Sequence, residues 1–265
     1  MFVVRSVPVH FTAVAVAPLY LPNMGSSLGK LYDSLARATP DALAGRVDLL
    51  FPSYRAVSVG SLNGQQERRK IVQDIAAATP FDRVIETGTF RGNSSAFFAE
   101  TFNAPVTTVE VNKRFYTYSK LRLRHASHVE VALGDSRSLL KKLASRPGAS
   151  GETVFFYLDA HWGDEVPLRE ELQIITMAWP RAVVMIDDFQ VPGDSGYAFY
   201  DGGPDKRLVI EYLPAEALAG WAQFFPAAPS SVETGAKCGS CVLANADLAP
   251  VLEGISSLRR TVLPS

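Results

Sequence analysis

The chain has 265 residues, a formal net charge of −1 and a hydrophobic fraction of 47%. These values fit one soluble globular α/β domain with additions, and the near-neutral charge gives no sign of a nucleic-acid-binding surface. Two cysteines, Cys238 and Cys241, exclude a disulfide scaffold at this length, so a cytoplasmic location is expected.

The N-terminal region carries little readable chemistry. An apolar run within residues 1–18 is similar to a poor signal peptide, but Pro8 interrupts it and Pro18 stands where cleavage would fall. No stretch is long and apolar enough to span a membrane. A helix is predicted over residues 28–38. We interpret residues 1–60 as a cap or oligomerisation segment that precedes a domain over residues 61–265.

From residue 65 the chain alternates helical and strand patterns. Helices are predicted over residues 65–78, 93–102, 113–125, 136–144 and 165–178, and strands over residues 83–88, 106–111, 128–135, 153–159 and 182–188. A late antiparallel strand is predicted over residues 239–245. Apolar strands that alternate with helices predict a parallel sheet with helices on both faces.

Each of the five alternating strands ends in acidic side chains. These are Glu86, Glu110, Asp135, Asp159 and the pair Asp187 and Asp188. Ligands of such sheets bind at the carboxyl ends of the strands. The sequence therefore predicts one site assembled from five strand ends.

The first strand leads into the glycine-containing turn ETGTFRG, residues 86–92. Gly88 and Gly92 would let the backbone turn tightly and approach a ligand, and an ordinary tight turn is the alternative. The turn lacks the G-x-G-x-x-G pattern of nicotinamide and flavin enzymes, which argues against an oxidoreductase. Glu110 could accept both hydroxyls of a ribose, and Asp135 could accept from an adenine amino group.

The chain resembles a class I S-adenosylmethionine-dependent methyltransferase over roughly residues 65–245. The resemblance is carried by three features in chain order: the turn over residues 86–92, Glu110 and the sequence G-D-S that ends at Ser136. The resemblance implies a Rossmann-like, doubly wound, mostly parallel seven-stranded sheet with a late antiparallel strand. It implies that S-adenosylmethionine is the cofactor. The cofactor-binding residues that it implies are Glu86, Thr87, Gly88, Gly92, Ser94, Glu110, Asp135, Ser136 and Asp159.

The sequence YLDAHW at the fourth strand end resembles the catechol and macrolide-sugar O-methyltransferase types. The resemblance implies a Mg²⁺ ion, or another divalent cation, held by Asp159, Asp187 and Asp188. Such an ion would hold two neighbouring substrate oxygens and lower the pKa of one hydroxyl. An alternative is that one residue of the Asp187–Asp188 pair caps a turn instead.

The catalytic base is left open. Catechol-type enzymes place a lysine just after His-Trp, where this chain has Gly163. His161 is the first candidate because its ordinary pKa is near neutral, and Asp159 is the second. A structural histidine packed beside Trp162 is an equal alternative for His161.

The loop over residues 191–204 is rich in glycine and aromatic residues, and it is a candidate substrate lid. The acceptor-contacting residues expected from these segments are Trp162, Tyr197, Phe199 and Tyr200. A surface loop with aromatic side chains packed on the core is the alternative. No N/D-P-P-Y/F sequence follows the fourth strand, which disfavours methylation of nucleic-acid bases.

The leading functional hypothesis is divalent-metal-dependent O-methylation of a small hydroxylated molecule, such as a catechol, a sugar or another secondary metabolite. The alternative is a metal-independent methyltransferase that uses Asp159 or His161 as base on an O, N or peptide acceptor. A nicotinamide oxidoreductase and a non-catalytic scaffold are lesser alternatives. No nucleic-acid or membrane partner is expected. A homodimer is expected because related enzymes often pair.

Overall fold

The computed structural model describes residues 40–50, 60–161 and 165–261. The predicted helix at residues 28–38 and the side chain of Trp162 lie outside these ranges. The helices are α1 (Asp41–Leu50), α2 (Gln66–Ala78), α3 (Asn93–Thr101), α4 (Lys113–Arg122), α5 (Ser136–Ala144), α6 (Leu168–Ala178) and α7 (Ala249–Glu253). The strands are β1 (Arg83–Thr87), β2 (Val106–Glu110), β3 (Val129–Leu133), β4 (Thr153–Leu158), β5 (Arg181–Asp187), β6 (Ala222–Pro226), β7 (Ser240–Ala244) and β8 (Leu258–Arg260).

The strands form one sheet in the order β3-β2-β1-β4-β5-β7-β6-β8. Strands β1 to β5 are parallel, and β7 pairs antiparallel with β5. Strand β6 then pairs antiparallel with both β7 and β8. The predicted doubly wound architecture with a late antiparallel strand is confirmed. The described sheet has eight strands, one more than expected, because the three-residue strand β8 extends its edge.

Strand β4 shows why the central strands read as continuous apolar runs. Phe155 and Tyr157 belong to the core on one face of the sheet, whereas Val154, Phe156 and Leu158 belong to the core on the other face. All six residues of the strand are buried. Burial on both faces removes the polar alternation that a half-exposed strand would show.

The strand order reverses between β1 and β4, which places a topological switch point beside their carboxyl ends. The backbones of β1 and β4 remain hydrogen-bonded at their carboxyl ends, where the Asp159 amide donates to the Thr87 carbonyl at 2.9 Å. The sequence-predicted acidic residues of β1, β2, β4 and β5 therefore reach the same edge of the sheet.

Helix α1 packs against α4 through a close contact and an ion pair. A Cβ atom at Gly45 would collide with the carbonyl oxygen of Arg114, so the glycine lets the two helices approach. The Arg114 guanidinium donates through two nitrogens to the Asp48 carboxylate, each at 2.8 Å. The cap or oligomerisation role of residues 1–60 stays a prediction.

None of the helices in the described ranges is long and apolar enough to cross a membrane.

The Asp48–Arg114 pair predicts a measurable loss of stability. Asp48 is 1% exposed, so Asp48→Asn leaves Arg114 without its charge partner and should lower the free energy of unfolding by about 3 kcal/mol. Urea denaturation followed by circular dichroism measures this change. Asp41→Asn, at an exposed position of the same helix, is the matched control. Equal losses in the two variants would contradict the prediction.

Candidate active site

The turn after β1 is packed directly against the end of β4. Gly88 has φ 92°, a left-handed conformation that favours glycine. A Cβ atom at this position would collide with the carbonyl oxygen of Asp159. Gly88 is therefore required for these two strand ends to meet, whichever ligand binds beside them.

Glu86 lies beneath this turn and is almost fully buried. It accepts hydrogen bonds from the hydroxyls of Ser95 and of Thr108, the latter at 2.7 Å. Burial raises the pKa of Glu86 to about 7, against the effect of these two hydrogen bonds. Glu86 therefore supports the site from inside the protein.

Glu110 organises the glycine-containing turn. Its carboxylate accepts the backbone amides of Phe90 at 2.7 Å and Asn112 at 2.8 Å. Phe90 has φ 48°, a strained conformation for a bulky residue, and this contact holds it there. The next residue, Val111, is 69% exposed at the same strand end. A carboxylate beside an exposed apolar side chain can hold a ribose and an adjoining flat base.

Asp135 caps helix α5. Its side chain accepts the amide of Ser138 at 3.1 Å and pairs with Arg137 at 2.6 Å. The hydrogen bonds from Arg137 lower the pKa of Asp135, so the carboxylate is charged at neutral pH. Its side chain is 39% exposed, which leaves surface available to a ligand.

Two further residues predicted to bind the cofactor make internal contacts. Gly92 has φ 70°, and a Cβ atom there would lie 2.8 Å from the Leu123 side chain, so the glycine serves turn formation and packing on α4. The Ser94 hydroxyl accepts the amide of Leu62 at 3.2 Å. Their roles in cofactor binding stay predictions.

His161 lies between the carboxylates of two strand ends. Its Nε2 is 3.2 Å from the Asp188 Oδ2, and its Nδ1 is 3.8 Å from the Asp159 Oδ1. The edge of the Tyr200 ring contacts the imidazole at a centroid distance of 4.7 Å. Because an ionised Asp188 can only accept, the imidazole donates to it through Nε2, and Nδ1 is the ring nitrogen that faces Asp159.

Asp188 is held in a left-handed conformation, with φ 49°. Its amide donates to the Asp187 carboxylate at 2.7 Å, and its carbonyl accepts the Tyr200 amide at 2.8 Å. Burial works to raise the pKa of Asp188, but the hydrogen bond with His161 and the charge of Arg68 hold it at about 2. Asp188 is therefore ionised beside the imidazole.

The pKa of Asp159 is shifted in the opposite direction. Its side chain is 34% exposed. Withdrawal from bulk water, together with the negative charges of Asp187 and Asp188, raises the pKa of Asp159 well above its ordinary value. The choice between His161 and Asp159 as the general base stays a prediction.

A buried arginine neutralises the third carboxylate. Arg68, on α2, is 1% exposed and forms an ion pair with Asp187. Burial raises the pKa of Asp187, and the charge of Arg68 opposes that shift. The hydroxyl of Tyr157 donates to the other Asp187 oxygen at 2.7 Å, and the Asn63 amide donates there at 3.2 Å.

The N-terminus of α2 is fastened to the segment before β7. The amides of Glu67 and Arg68 donate to the Glu233 carboxylate, each at 3.1 Å. Gln65 makes two hydrogen bonds with the backbone of Cys238, at 2.8 and 3.0 Å. A carboxylate at a helix N-terminus is favoured by the helix dipole. These contacts fix the position of Arg68.

The expected three-carboxylate magnesium site does not fit this arrangement. Asp187 is occupied by a guanidinium, a phenol and two amides, and it has no lone pair left for a cation. No group of three or more His, Cys, Asp or Glu side chains in the part of the chain that the structure describes is arranged so that it could hold a metal ion. The alternative in which Asp187 caps the turn agrees with its contact to the Asp188 amide.

The aromatic residues expected to contact an acceptor separate into two groups. Tyr200 contacts His161, and Phe199 is half-buried beneath the guanidinium of Arg207. Tyr197 is 3% exposed and donates to the Ala228 carbonyl at 3.1 Å. Tyr197 therefore packs in the core, in agreement with the alternative given for this loop, and its role in the acceptor pocket stays a prediction.

Sequence reasoning missed two buried charged residues, Arg68 and Glu171. Each lies on the apolar stripe of an amphipathic helix, where the neighbours at +3, +4 and +7 are aliphatic. The buried stripes are Arg68, Ile71, Val72 and Ile75 on α2, and Leu168, Glu171, Leu172 and Ile175 on α6. A charged residue in register with a helical apolar stripe is the signal that would have found both.

Glu171 lies behind the strand ends. It is 1% exposed and faces the hydroxyls of Ser136 and Thr87, two of the residues predicted to bind the cofactor. Glu171 and His161 line a cavity of about 10 Å³, roughly the space that one water molecule needs. Burial raises the pKa of Glu171 to about 7, against the effect of the two hydroxyls.

The sheet order, the turn at Gly88 and the strand-end carboxylates together define the fold of the class I S-adenosylmethionine-dependent methyltransferases. The chain resembles the O-methyltransferases of that class.

Two solved structures show this likeness. The O-methyltransferase TomG from Streptomyces achromogenes, solved in complex with SAM and involved in tomaymycin synthesis, is 18% identical with a TM-score of 0.50, and the match covers 82% of this chain and 96% of TomG. An O-methyltransferase from Bacillus cereus in complex with SAH is 14% identical with a TM-score of 0.51, covering 82% of this chain and 97% of that one. No protein-family model and no curated protein matches the sequence. The structural likeness establishes the fold.

The raised pKa of Glu171 predicts a pH-dependent stability. Below the unfolded-state pKa of 4.5 the carboxyl is protonated in both states, and above about 7 it is ionised in both. Between these values only the folded state keeps the proton, so the stability that this group contributes falls as pH rises, by up to about 3 kcal/mol. Glu171→Gln, which is neutral throughout, should therefore become more stable relative to wild type between pH 5 and pH 8.

Thermal denaturation of both proteins across this pH range measures the difference. Glu170→Gln is the matched control, because Glu170 is the next residue in the chain and its side chain is 60% exposed. A difference between Glu171→Gln and wild type that stays constant with pH would contradict the prediction.

Proposed function

We propose that this protein is an S-adenosylmethionine-dependent methyltransferase that methylates a hydroxyl oxygen of a small molecule. The observation that carries the proposal is the pairing of His161 with the ionised Asp188 at the strand ends, beside the turn fixed by Gly88 and Glu110. The two solved O-methyltransferases with SAM or SAH bound support the choice of cofactor and of reaction.

The residues at the first three strand ends fit the cofactor. Gly88 lets the turn after β1 pack against the backbone of Asp159, which brings the ends of β1 and β4 together beside the cofactor. Glu110 keeps acceptor positions for the ribose hydroxyls beyond its two backbone contacts. Val111 offers an exposed apolar surface to the adenine, and Asp135 offers a carboxylate to its amino group.

When bound, the cofactor supplies an electrophilic methyl group on a sulfonium sulfur. His161 Nδ1 takes the proton of the acceptor hydroxyl, and Asp188 stabilises the imidazolium that results. With the proton held by His161, the acceptor oxygen could bond to the methyl carbon that bound S-adenosylmethionine would supply, and the electron pair of the broken carbon–sulfur bond would stay on sulfur. The products are a methyl ether and S-adenosylhomocysteine.

The magnesium-dependent form of the hypothesis is not retained, because the surroundings of Asp187 do not fit a cation. The metal-independent form agrees with the His161–Asp188 pair. We favour methylation of a hydroxyl over methylation of an amine. A hydroxyl needs a base to remove its proton, and His161 can serve as that base, whereas an uncharged amine can attack without losing a proton first. A small-molecule acceptor, a cytoplasmic location and a homodimer stay predictions.

Titration calorimetry with S-adenosylhomocysteine tests the cofactor assignment. We expect micromolar binding by the wild-type protein. Glu110→Gln removes the negative charge and one acceptor, and it should weaken binding about tenfold. Glu130→Gln, an exposed carboxylate on β3, should bind like wild type. Absence of binding by the wild-type protein would refute the proposal.

A screen of hydroxylated compounds for methyl transfer from labelled S-adenosylmethionine then identifies an acceptor. With it, His161→Gln should lower kcat by a factor of about 10² to 10⁴, because the base is lost. The affinity of His161→Gln for S-adenosylhomocysteine should stay near the wild-type value. His125→Gln, at an exposed position after α4, is the control. An unchanged kcat in His161→Gln would show that another group accepts the proton.

A further inference from the structure

We infer that the guanidinium of Arg68 takes the charge-compensating place that a divalent cation would hold among the strand-end carboxylates, and that the acceptor consequently needs only one hydroxyl. The first half stands on the described contacts alone. The second half rests on the proposed function and deepens it, since it specifies the class of acceptor.

The strand ends of β4 and β5 require a positive charge. Asp159 and Asp188 lie on either side of His161, at 3.8 and 3.2 Å from its ring nitrogens, and the Asp188 amide donates to Asp187 at 2.7 Å. Like charges gathered at low solvent exposure are costly without a compensating cation. Arg68 is always protonated and is 1% exposed, so its charge is permanently part of the site.

The hydrogen-bonding capacity of Asp187 is used up. Its Oδ1 accepts from Arg68 and from the amide of Asp188, and its Oδ2 accepts from Tyr157 and from Asn63. An ionised carboxylate offers about four acceptor sites, and four donors occupy them. A cation could bind Asp187 only by displacing one of these donors.

Displacement of Arg68 is opposed by its own contacts. Beyond Asp187, the guanidinium donates to the carbonyl oxygens of Cys238 and Gly239, the latter at 2.9 Å. Its backbone amide is held by Glu233. Removing the guanidinium from Asp187 would leave a buried charge without a partner, which is among the costlier changes in a protein interior.

The replacement of a metal by Arg68 changes what the acceptor must contain. A bound cation presents open coordination positions, and two neighbouring oxygens of the substrate can fill them. A guanidinium that is 1% exposed presents none. Activation of the acceptor therefore falls to His161, which needs one hydroxyl, and a second adjacent oxygen contributes nothing by chelation.

The metal half is tested with Mn²⁺, whose free ion is measured by electron paramagnetic resonance. The wild-type protein, with and without S-adenosylhomocysteine, should show no saturable binding below about 1 mM. Arg68→Met should create a Mn²⁺ site at Asp187, and Arg68→Met combined with Asp187→Asn should remove it. Micromolar binding by the wild-type protein that disappears in Asp187→Asn would overturn the inference.

Even if Arg68→Met fails to fold, the absence of Mn²⁺ binding by the wild-type protein supports this half, and binding that disappears in Asp187→Asn overturns it. Arg68→Lys gives a second check, since it keeps the charge and should keep Mn²⁺ out. Binding of Mn²⁺ to Arg68→Lys as tightly as to Arg68→Met would show that the positive charge is not what excludes the metal.

The acceptor half uses the hydroxylated compound found in the screen. An acceptor with two adjacent hydroxyls and its analogue that lacks the neighbouring hydroxyl should differ by less than about threefold in kcat/KM, and EDTA should leave both rates unchanged. A loss of about a hundredfold in the analogue would overturn the inference. Failure to bind S-adenosylhomocysteine would instead refute the proposed function, while the Mn²⁺ result would still judge the role of Arg68.

Discussion

The buried ion pair between Arg68 and Asp187 is the interaction on which the candidate site depends. It connects helix α2, which precedes the sheet, to the carboxyl end of β5. Its two charges are withdrawn from water, and such a pair is stable only when its remaining donors and acceptors are satisfied. Here Tyr157, Asn63 and the carbonyls of the Cys238–Gly239 segment supply most of those partners, while the buried Nε of Arg68 has no hydrogen-bond partner among the described residues.

The ion pair also determines the geometry around the candidate base. Asp187 accepts the amide of Asp188 and so stabilises the left-handed conformation of that residue. This conformation directs the Asp188 carboxylate toward His161. A strained residue at a site is maintained by contacts elsewhere in the fold. The strained conformation of Asp188 is held by Asp187, and Asp187 is in turn held by Arg68.

The site and the fold place different demands on the same strand ends. Gly88 and the switch point belong to the fold, because any doubly wound sheet with this strand order opens a crevice between β1 and β4. The chemistry belongs to the side chains that follow the strands. The same edge with free carboxylates suits a hard cation. With Arg68 inserted, it presents an oriented imidazole instead.

The sequence by itself determined the alternation of strands and helices, the edge where the site lies and most of its acidic residues. These features depend on local periodicity and on residues that directly follow a strand, both of which are visible in one dimension. The last strands, β6 and β8, were not predicted, because β6 ends in a proline and β8 has only three residues. The pairing that stabilises them is not a property of their own composition.

Only the tertiary structure decided the charge balance of the site. Arg68 and Asp187 are separated by 119 positions in the chain, and no local pattern connects them. The acidic strand ends alone indicated a metal, because the compensating charge was not among their neighbours in sequence. The burial of Tyr197 could also not be predicted from the local sequence, because its hydrogen-bond partner Ala228 lies in a later segment. Electrostatic compensation acts through space, so the fold had to bring the partners together before the chemistry could be read.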